Sequence, residues 1–186
     1  MRIVSGVSTE ILEDLRAKVA RYRYAVFVER LGWNLQTRNG EELDQFDRSD
    51  TVYVVAQDEG GPVLGCARLL PTTRAHLLGE IFPHLLNGAP PCSPEVWELS
   101  RFAAVAFGGR APSPSRSSAV SVALLEAAIR YAAARGAKRL ITLSPLGVER
   151  LLRRAGFRIQ RAGPATVIDG QLFLACWIDA VVEQER

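Results

Sequence analysis

Side chains able to do chemistry gather in a few stretches of this 186-residue chain. An acidic run, EELDQFDRSD, covers Glu41 to Asp50 and suits a cation. A basic run from Arg135 to Arg161 holds Lys138, Arg139, Arg150, Arg153, Arg154 and Arg158, and suits an acidic partner. Arg23 and Phe27 are four residues apart, so a helix presents them on one side, with Trp33 just beyond. Arg68 stands beside Cys66 and Leu70 in an apolar run, where an unpaired charge is costly. Pairing with the acids of 44–47 would remove that cost. Glu98 lies between apolar neighbours in EVWELSRFAAV. A carboxylate there can take a proton from an amine, directly or through water. The plainer alternative is an ion pair with Arg101 or Arg68. Strand alternation puts Glu98 and Ser100 on one face and Arg101 on the other, and a bulge would bring all three to one site.

These side chains need elements to hold them. Ile11 to Leu31 reads as one helix, with Ser8 and Thr9 as N-cap residues and Gly32 as its stop. Residues 34–50 read as loop. TVYVVAQ (51–57), the turn DEGG (58–61) and PVLGCARLL (62–70) read as an antiparallel hairpin. HLLGEIFPHLL (76–86) is a short helical piece interrupted by Pro83, NGAPPCSP (87–94) a loop, and 95–105 a third strand. FGGRAPSPSRSS (107–118) reads as a flexible loop, and 118–136 as an amphipathic helix ending at Gly136. RLITL (139–143) is a buried strand and GVERLLRRAG (147–156) a helix with a glycine stop. FRIQRAG and TVIDGQLFLACWI close the sheet, with a final hairpin at Asp169-Gly170. The order predicts an α/β fold with helices over a mixed sheet. Without repeats or a dividing linker, one domain over 1–186 is expected.

Composition excludes several classes. Apolar residues are 48% and charged residues 23%, the mixture of a soluble globular protein. No stretch reaches the roughly 18 to 20 apolar residues of a membrane span. The N-terminal MRIVSGVSTEILEDLRAK has early acids and no apolar core, so no secretory signal is expected and the cytoplasm is the expected location. Cys66, Cys92 and Cys176 are scattered, and only His76 and His84 accompany them, which predicts neither disulfides nor a metal site. A net charge of +3 is too small to indicate nucleic acid.

Four blocks carry a resemblance: RYAVFVERLGW from Arg23 to Trp33, ExDxFD from Glu42 to Asp47, GCARLLPTT around Arg68, and WELSRF with Glu98, Ser100, Arg101 and Phe102. In this order and spacing the chain resembles the acyl-homoserine lactone synthase (LuxI-type autoinducer synthase) family, from about residue 20 to Trp177 and more loosely at 103–120. The resemblance implies an N-acetyltransferase-like (GNAT-like) three-layer α-β-α sandwich with a splayed mixed sheet. It implies S-adenosylmethionine as amine donor, acyl-carrier protein as usual acyl donor with acyl-coenzyme A possible, and no permanently bound cofactor. Glu98, Ser100 and Arg101 would then be catalytic. Asp44 and Asp47 would balance the donor's positive charge, and Arg23 would meet its carboxylate. Phe27 and Trp33 would offer aromatic surface, with Arg68 and Phe102 completing the site. The acyl wall would be RLITL, including Thr142, and the following Ser144, Leu146 and Val148. Ser144 falls where the family often has threonine, and either greets a 3-oxo group or caps a strand end. Arg150, Arg153 and Arg154 either dock the acidic carrier protein or form a solvated face. A short or medium straight acyl chain, with eight carbons as the guess, and a monomer or weak dimer are expected. Two competing readings are an acyl-coenzyme A N-acyltransferase of the same fold and a non-enzymatic ligand sensor. Against the first, GGRAPSPSRSS lacks the R-x-x-G-x-G/A turn that cradles a pyrophosphate.

Overall fold

Arg2 to Val7 carries three β-branched residues, Ile3, Val4 and Val7. They form a strand that the sequence reading passed over. In the computed structural model, which describes residues 1–58, 60–105, 107 and 114–180 (backbone only at 114–116), β1 (Arg2–Val7) pairs antiparallel with β4 (Val52–Gln57), from Arg2↔Gln57 to Val7↔Val52. Half of the expected loop at 107–118, residues 108–113, lies outside the described residues. Its end is already helical, since α3 spans Pro114–Ala133. The chain divides into two compact units: Met1–Arg68 with Arg101–Ala127, and Leu69–Ser100 with Ala128–Arg186.

In the first unit β4 neighbours β5 (Val63–Pro71) across a turn closed by the Asp58 N–H on the Pro62 carbonyl, 3.3 Å. Leu15, Val19, Tyr22 and Val26 recur at helical spacing and pack on Tyr53, Val55, Val63 and Cys66 of these strands. Their helix, α1, spans Glu13–Arg23 and begins later than expected. Because β1 runs to Val7, the chain must first turn, with the Glu10 N–H on the Val7 carbonyl at 2.8 Å. Leu12 is the N-cap residue and makes no side-chain cap bond. Ser8 instead donates its N–H to the Thr51 carbonyl, 2.7 Å. The expected single helix to Leu31 is also corrected, because Tyr24–Arg30 is π-helical. The Leu31 N–H reaches back five residues to the Val26 carbonyl, 3.0 Å, which turns both Val26 and Phe27 inward. The segment stops at Gly32, φ 70. Within 34–50, read as loop, Thr37–Arg38 (β2) and Glu41–Glu42 (β3) form a small hairpin.

In the second unit the first five residues of β6 (Val96–Ala103) lie beside β7 (Arg139–Pro145), pairing parallel from Val96↔Arg139 to Leu99↔Thr142. β7 also pairs antiparallel with β10 (Gln171–Asp179). Beyond β10 come β8 (Ile159–Arg161) and β9 (Thr166–Ile168), the latter forming the expected hairpin through Asp169-Gly170. One sheet face, with Ile141, Leu143, Ala175 and Trp177, packs on Leu78 of α2 (Leu77–Glu80) and on Phe82 and Leu86 beside the 3₁₀ turn Pro83–Leu85. The other face meets α4 (Leu146–Arg154), whose Glu149 accepts from Arg153 and Arg161 at 3.0 and 3.1 Å and ties the helix to β8. Helix, sheet and helix therefore form three layers here. No helix of the described residues is long and apolar enough to cross a membrane.

Candidate active site

Asn39 (φ 53) and Gly40 (φ 75) make the left-handed pair that a two-residue hairpin requires. That turn drives Glu42 of β3 to 0% exposure beside the end of α1. There Glu42 accepts from Arg23 Nε at 2.6 Å and from Arg101 Nη2 at 2.8 Å. Arg23, 1% exposed, gives Nη1 and Nη2 to Asp47 at 2.7 and 3.0 Å. Arg68, 0% exposed, gives the same two atoms to Asp44 at 2.6 and 3.1 Å and lies 3.2 Å from Asp47. Asp44 also accepts from Arg101 Nη2 at 2.9 Å, and Tyr53 donates its hydroxyl to Asp47 at 2.7 Å. Three guanidinium groups and three carboxylates thus form one buried, formally neutral network. Desolvation would otherwise forbid such charges, and mutual pairing offsets it.

The electrostatics follow from that pairing. Burial pushes the Asp47 carboxyl up, but the charge and hydrogen bonds of Arg23, with Arg68, hold it well below the usual carboxylate range. Burial acts on Glu42 in the same sense, and hydrogen bonding from Arg101 with the charge of Arg23 overcomes it, so Glu42 stays ionised. The Tyr53 hydroxyl is raised by burial and by Asp47, and remains a donor.

Arg23 was expected to meet the donor's carboxylate; all three of its guanidinium nitrogens are engaged by Glu42 and Asp47, so it helps to build the network. Arg68 pairs with the 44–47 acids, as read from the sequence. Arg101 differs from both. It keeps 8% exposure, and among the described residues its Nη1 has no partner. Its guanidinium lies 5.7 Å from the centre of the Phe27 ring. Trp33 stacks on that ring with centroids 5.0 Å apart and planes 20° apart, after its N–H folds back on the Phe27 carbonyl at 2.9 Å. Regular strand alternation fails at Arg101, whose φ is 50; that is the position a bulge usually gives to glycine. Phe102, next along β6, is half-buried. Glu42 was missed as a site residue. Its signal was present, because it opens the ExDxFD block one strand period before Asp44.

In the second unit Glu98 is 1% exposed and accepts the N–H groups of Leu77 and Leu78, at 3.2 and 2.7 Å. Neither the hairpin nor any charge pair had suggested this partner. The register pairs Glu98 with Ile141, so Glu98 shares the α2 face, and Ser100, also buried, follows by alternation. Thr142 and Ser144, whose hydroxyl oxygens are 3.1 Å apart, lie on the α4 face opposite Leu174 and Cys176. They are therefore on the other side of the sheet from Glu98. Leu146 and Val148 are half-buried in the first turn of α4. Arg150, Arg153 and Arg154 are exposed along one side of that helix, with Arg153 also held by Glu149. No group of His, Cys, Asp and Glu among the described residues is arranged to hold a metal.

The chain matches the family described as Autoinducer synthase over residues 8–186. It is 60% identical over 182 residues to the acyl-homoserine-lactone synthase of Acinetobacter nosocomialis, covering 96% of this chain and 100% of that one. Among solved structures it is similar to TofI in a ternary complex with an inhibitor and MTA, at 44% identity and TM-score 0.86, covering 97% of this chain and 92% of that one. It is also similar to BjaI, a coenzyme A-dependent acyl-homoserine lactone synthase with SAM and isopentyl-CoA bound. There identity is 28% and TM-score 0.81, with 96% and 82% covered. An acyl-CoA N-acyltransferase from Pseudomonas aeruginosa shares only the fold, at 16% identity and TM-score 0.66 over 95% of this chain and 99% of that one. The expected N-acetyltransferase-like α/β fold is thereby established.

Proposed function

The chain belongs to the autoinducer synthase family and is an acyltransferase, an acyl-homoserine-lactone synthase, and from that premise we infer that its amine donor is S-adenosylmethionine, held by Arg101. The observation that carries this is Nη1 of Arg101, without a partner among the described residues, beside the stacked pair Phe27 and Trp33. A guanidinium edge suits a carboxylate, and aromatic faces suit a sulfonium or an adenosine ring. Asp44 and Asp47 act through the network by holding Arg68, Arg101 and Arg23 in place.

Attack on a thioester requires a neutral amine, whereas an α-amino group is mostly protonated near neutral pH. Glu98, fixed by two backbone N–H groups, takes that proton, directly or through water. The amine nitrogen then bonds to the thioester carbonyl carbon, the carbon–sulfur bond breaks, and the thiol leaves with a proton. In the second step the donor's carboxylate oxygen displaces the sulfonium from the γ-carbon. Methylthioadenosine leaves and the five-membered lactone closes. Both reacting ends belong to one molecule, so orientation supplies much of the acceleration.

The acyl donor is an acyl-carrier protein, supported by the exposed Arg150, Arg153 and Arg154. The acyl tail reaches Thr142, Ser144, Leu146 and Val148 on the α4 face by passing between β6 and β7. Their pairing runs only to Leu99↔Thr142 although both strands continue, which supports this route. The test is mass spectrometry after mixing the protein with S-adenosylmethionine and a panel of acyl-carrier proteins and acyl-coenzymes A. The expected products are an eight-carbon acyl-homoserine lactone and methylthioadenosine from the carrier-protein arm. Product only from the coenzyme A arm would overturn the donor assignment. Acylation of another amine without methylthioadenosine would overturn the reading as a whole.

A further inference from the structure

Arg101 carries a side chain at φ 50 inside β6, a backbone region that a Cβ disfavours. Such a conformation persists only where neighbouring groups hold it. Two adjacent residues of β5 do so. The Cys66 thiol donates to the Arg101 carbonyl, 3.3 Å, in a buried contact. Burial pushes that thiol up to about 12, so it remains a donor at neutral pH. Gly65 leaves room for the backbone just beyond. A Cβ there would stand 2.8 Å from the Ala103 carbonyl oxygen, 3.2 Å from Ala104 Cα and 2.6 Å from Leu124 Cδ1. One residue thus fixes the carbonyl at the bend, and the other admits the chain that follows it. The side chain at the bend is held by Glu42 and Asp44 through Nε and Nη2, and Nη1 has no partner among the described residues.

We propose that the Gly65–Cys66 step of β5 is a positioning device: it holds the left-handed backbone of Arg101 and so sets where Nη1 meets the amine donor's carboxylate. The proposal rests on the reading that Arg101 receives that carboxylate. Both residues act through Arg101, and neither touches the substrate.

Three substitutions separate this from ordinary packing. Cys66→Ser keeps the donor, Cys66→Val keeps the bulk without it, and Cys66→Ala loses both. The expected result is a KM for S-adenosylmethionine raised up to about tenfold in Cys66→Val and Cys66→Ala, the effect of one lost hydrogen bond, with Cys66→Ser within about twofold of the parent. Thermal midpoints are measured alongside. If Cys66→Val matches the parent while Cys66→Ala does not, bulk alone matters and the proposal is overturned. A crystal structure of Cys66→Val tests the device without substrate. Arg101 leaving φ near 50 supports it, and Arg101 unchanged there refutes it whatever the kinetics. Gly65→Ala, by displacing Ala103, should give the same KM effect if it folds. Calorimetry of S-adenosylmethionine on Arg101→Ala tests the underlying reading separately. Unchanged binding there, with a moved backbone in Cys66→Val, leaves the backbone device standing and removes the carboxylate contact.

Discussion

Replacing Glu42 with glutamine changes a few atoms and removes one negative charge from the centre of the site. Glu42 is fully buried and accepts from Arg23 Nε at 2.6 Å, Arg101 Nη2 at 2.8 Å and Arg101 Nε at 3.1 Å. In Glu42→Gln one of the two acceptor oxygens becomes an NH2 that faces a guanidinium donor, and three guanidinium groups are left with two carboxylates. Breaking a buried pair from one side costs about 3–5 kcal/mol. At about 2–4 °C per kcal/mol for a chain of this size, the thermal midpoint should fall by roughly 6–20 °C. The assay is thermal and urea unfolding of Glu42→Gln beside Glu95→Gln, whose partner Lys138 lies on the surface, the two side chains being 51% and 73% exposed. The control should be indistinguishable from the parent, since exposed pairs contribute little. A midpoint for Glu42→Gln within about 2 °C of the parent would show that Glu42 does not bind the network together, and the argument for the site's preorganisation would fail.

Other outcomes can be stated in turn. Glu98→Gln should slow methylthioadenosine release by about 10²- to 10⁴-fold with unchanged circular dichroism, and full turnover would remove Glu98 as the base. Glu42 and Asp47 have lowered folded pKa values, so the stability they supply is complete above the ordinary carboxylate range near pH 4 and declines as pH falls from there toward those values. Urea midpoints between pH 7 and pH 3 should drop accordingly in the parent and less steeply in Glu42→Gln; equal slopes would contradict the cited shifts. Reversing Arg150, Arg153 and Arg154 to glutamate should raise KM for the acyl-carrier protein while leaving S-adenosylmethionine binding alone, and should weaken the salt dependence of the carrier step. An unchanged KM would clear this helix of docking.

Local patterns disclosed much of the fold. The Asp169-Gly170 turn, the apolar strand at 139–143 and the amphipathic helix before it were all readable from spacing. The π-helical segment was not, because a shift of hydrogen-bond register leaves little trace in residue type. β1 was overlooked because its short β-branched run was weighed only as a leader. At the site, residue types were readable but partners were not. Arg23 could be recognised as a charge needing a carboxylate, yet Glu42 and Asp47 lie 19 and 24 residues away, and sequence gives no means of choosing them over a ligand. Alternation placed Thr142 and Ser144 together, but which face they share needed the parallel register of β6 with β7. The hold of Leu77 and Leu78 on Glu98 depends on backbone groups, which no side-chain motif announces.

The π-helical segment Tyr24–Arg30 makes this part of the protein sensitive to length more than to composition. A five-residue reach from Leu31 to Val26 and the fold-back of Trp33 onto Phe27 together fix how many residues lie between Arg23 and Trp33. Deleting one residue from 24–30 would let the helix relax to ordinary spacing and turn everything after it by about 100°. Phe27 and Trp33 would part even though every functional side chain remained. Among homologues, a gap within this stretch should therefore be rarer than a substitution, and a synthase that carried one would need a second change to bring its aromatic pair back together.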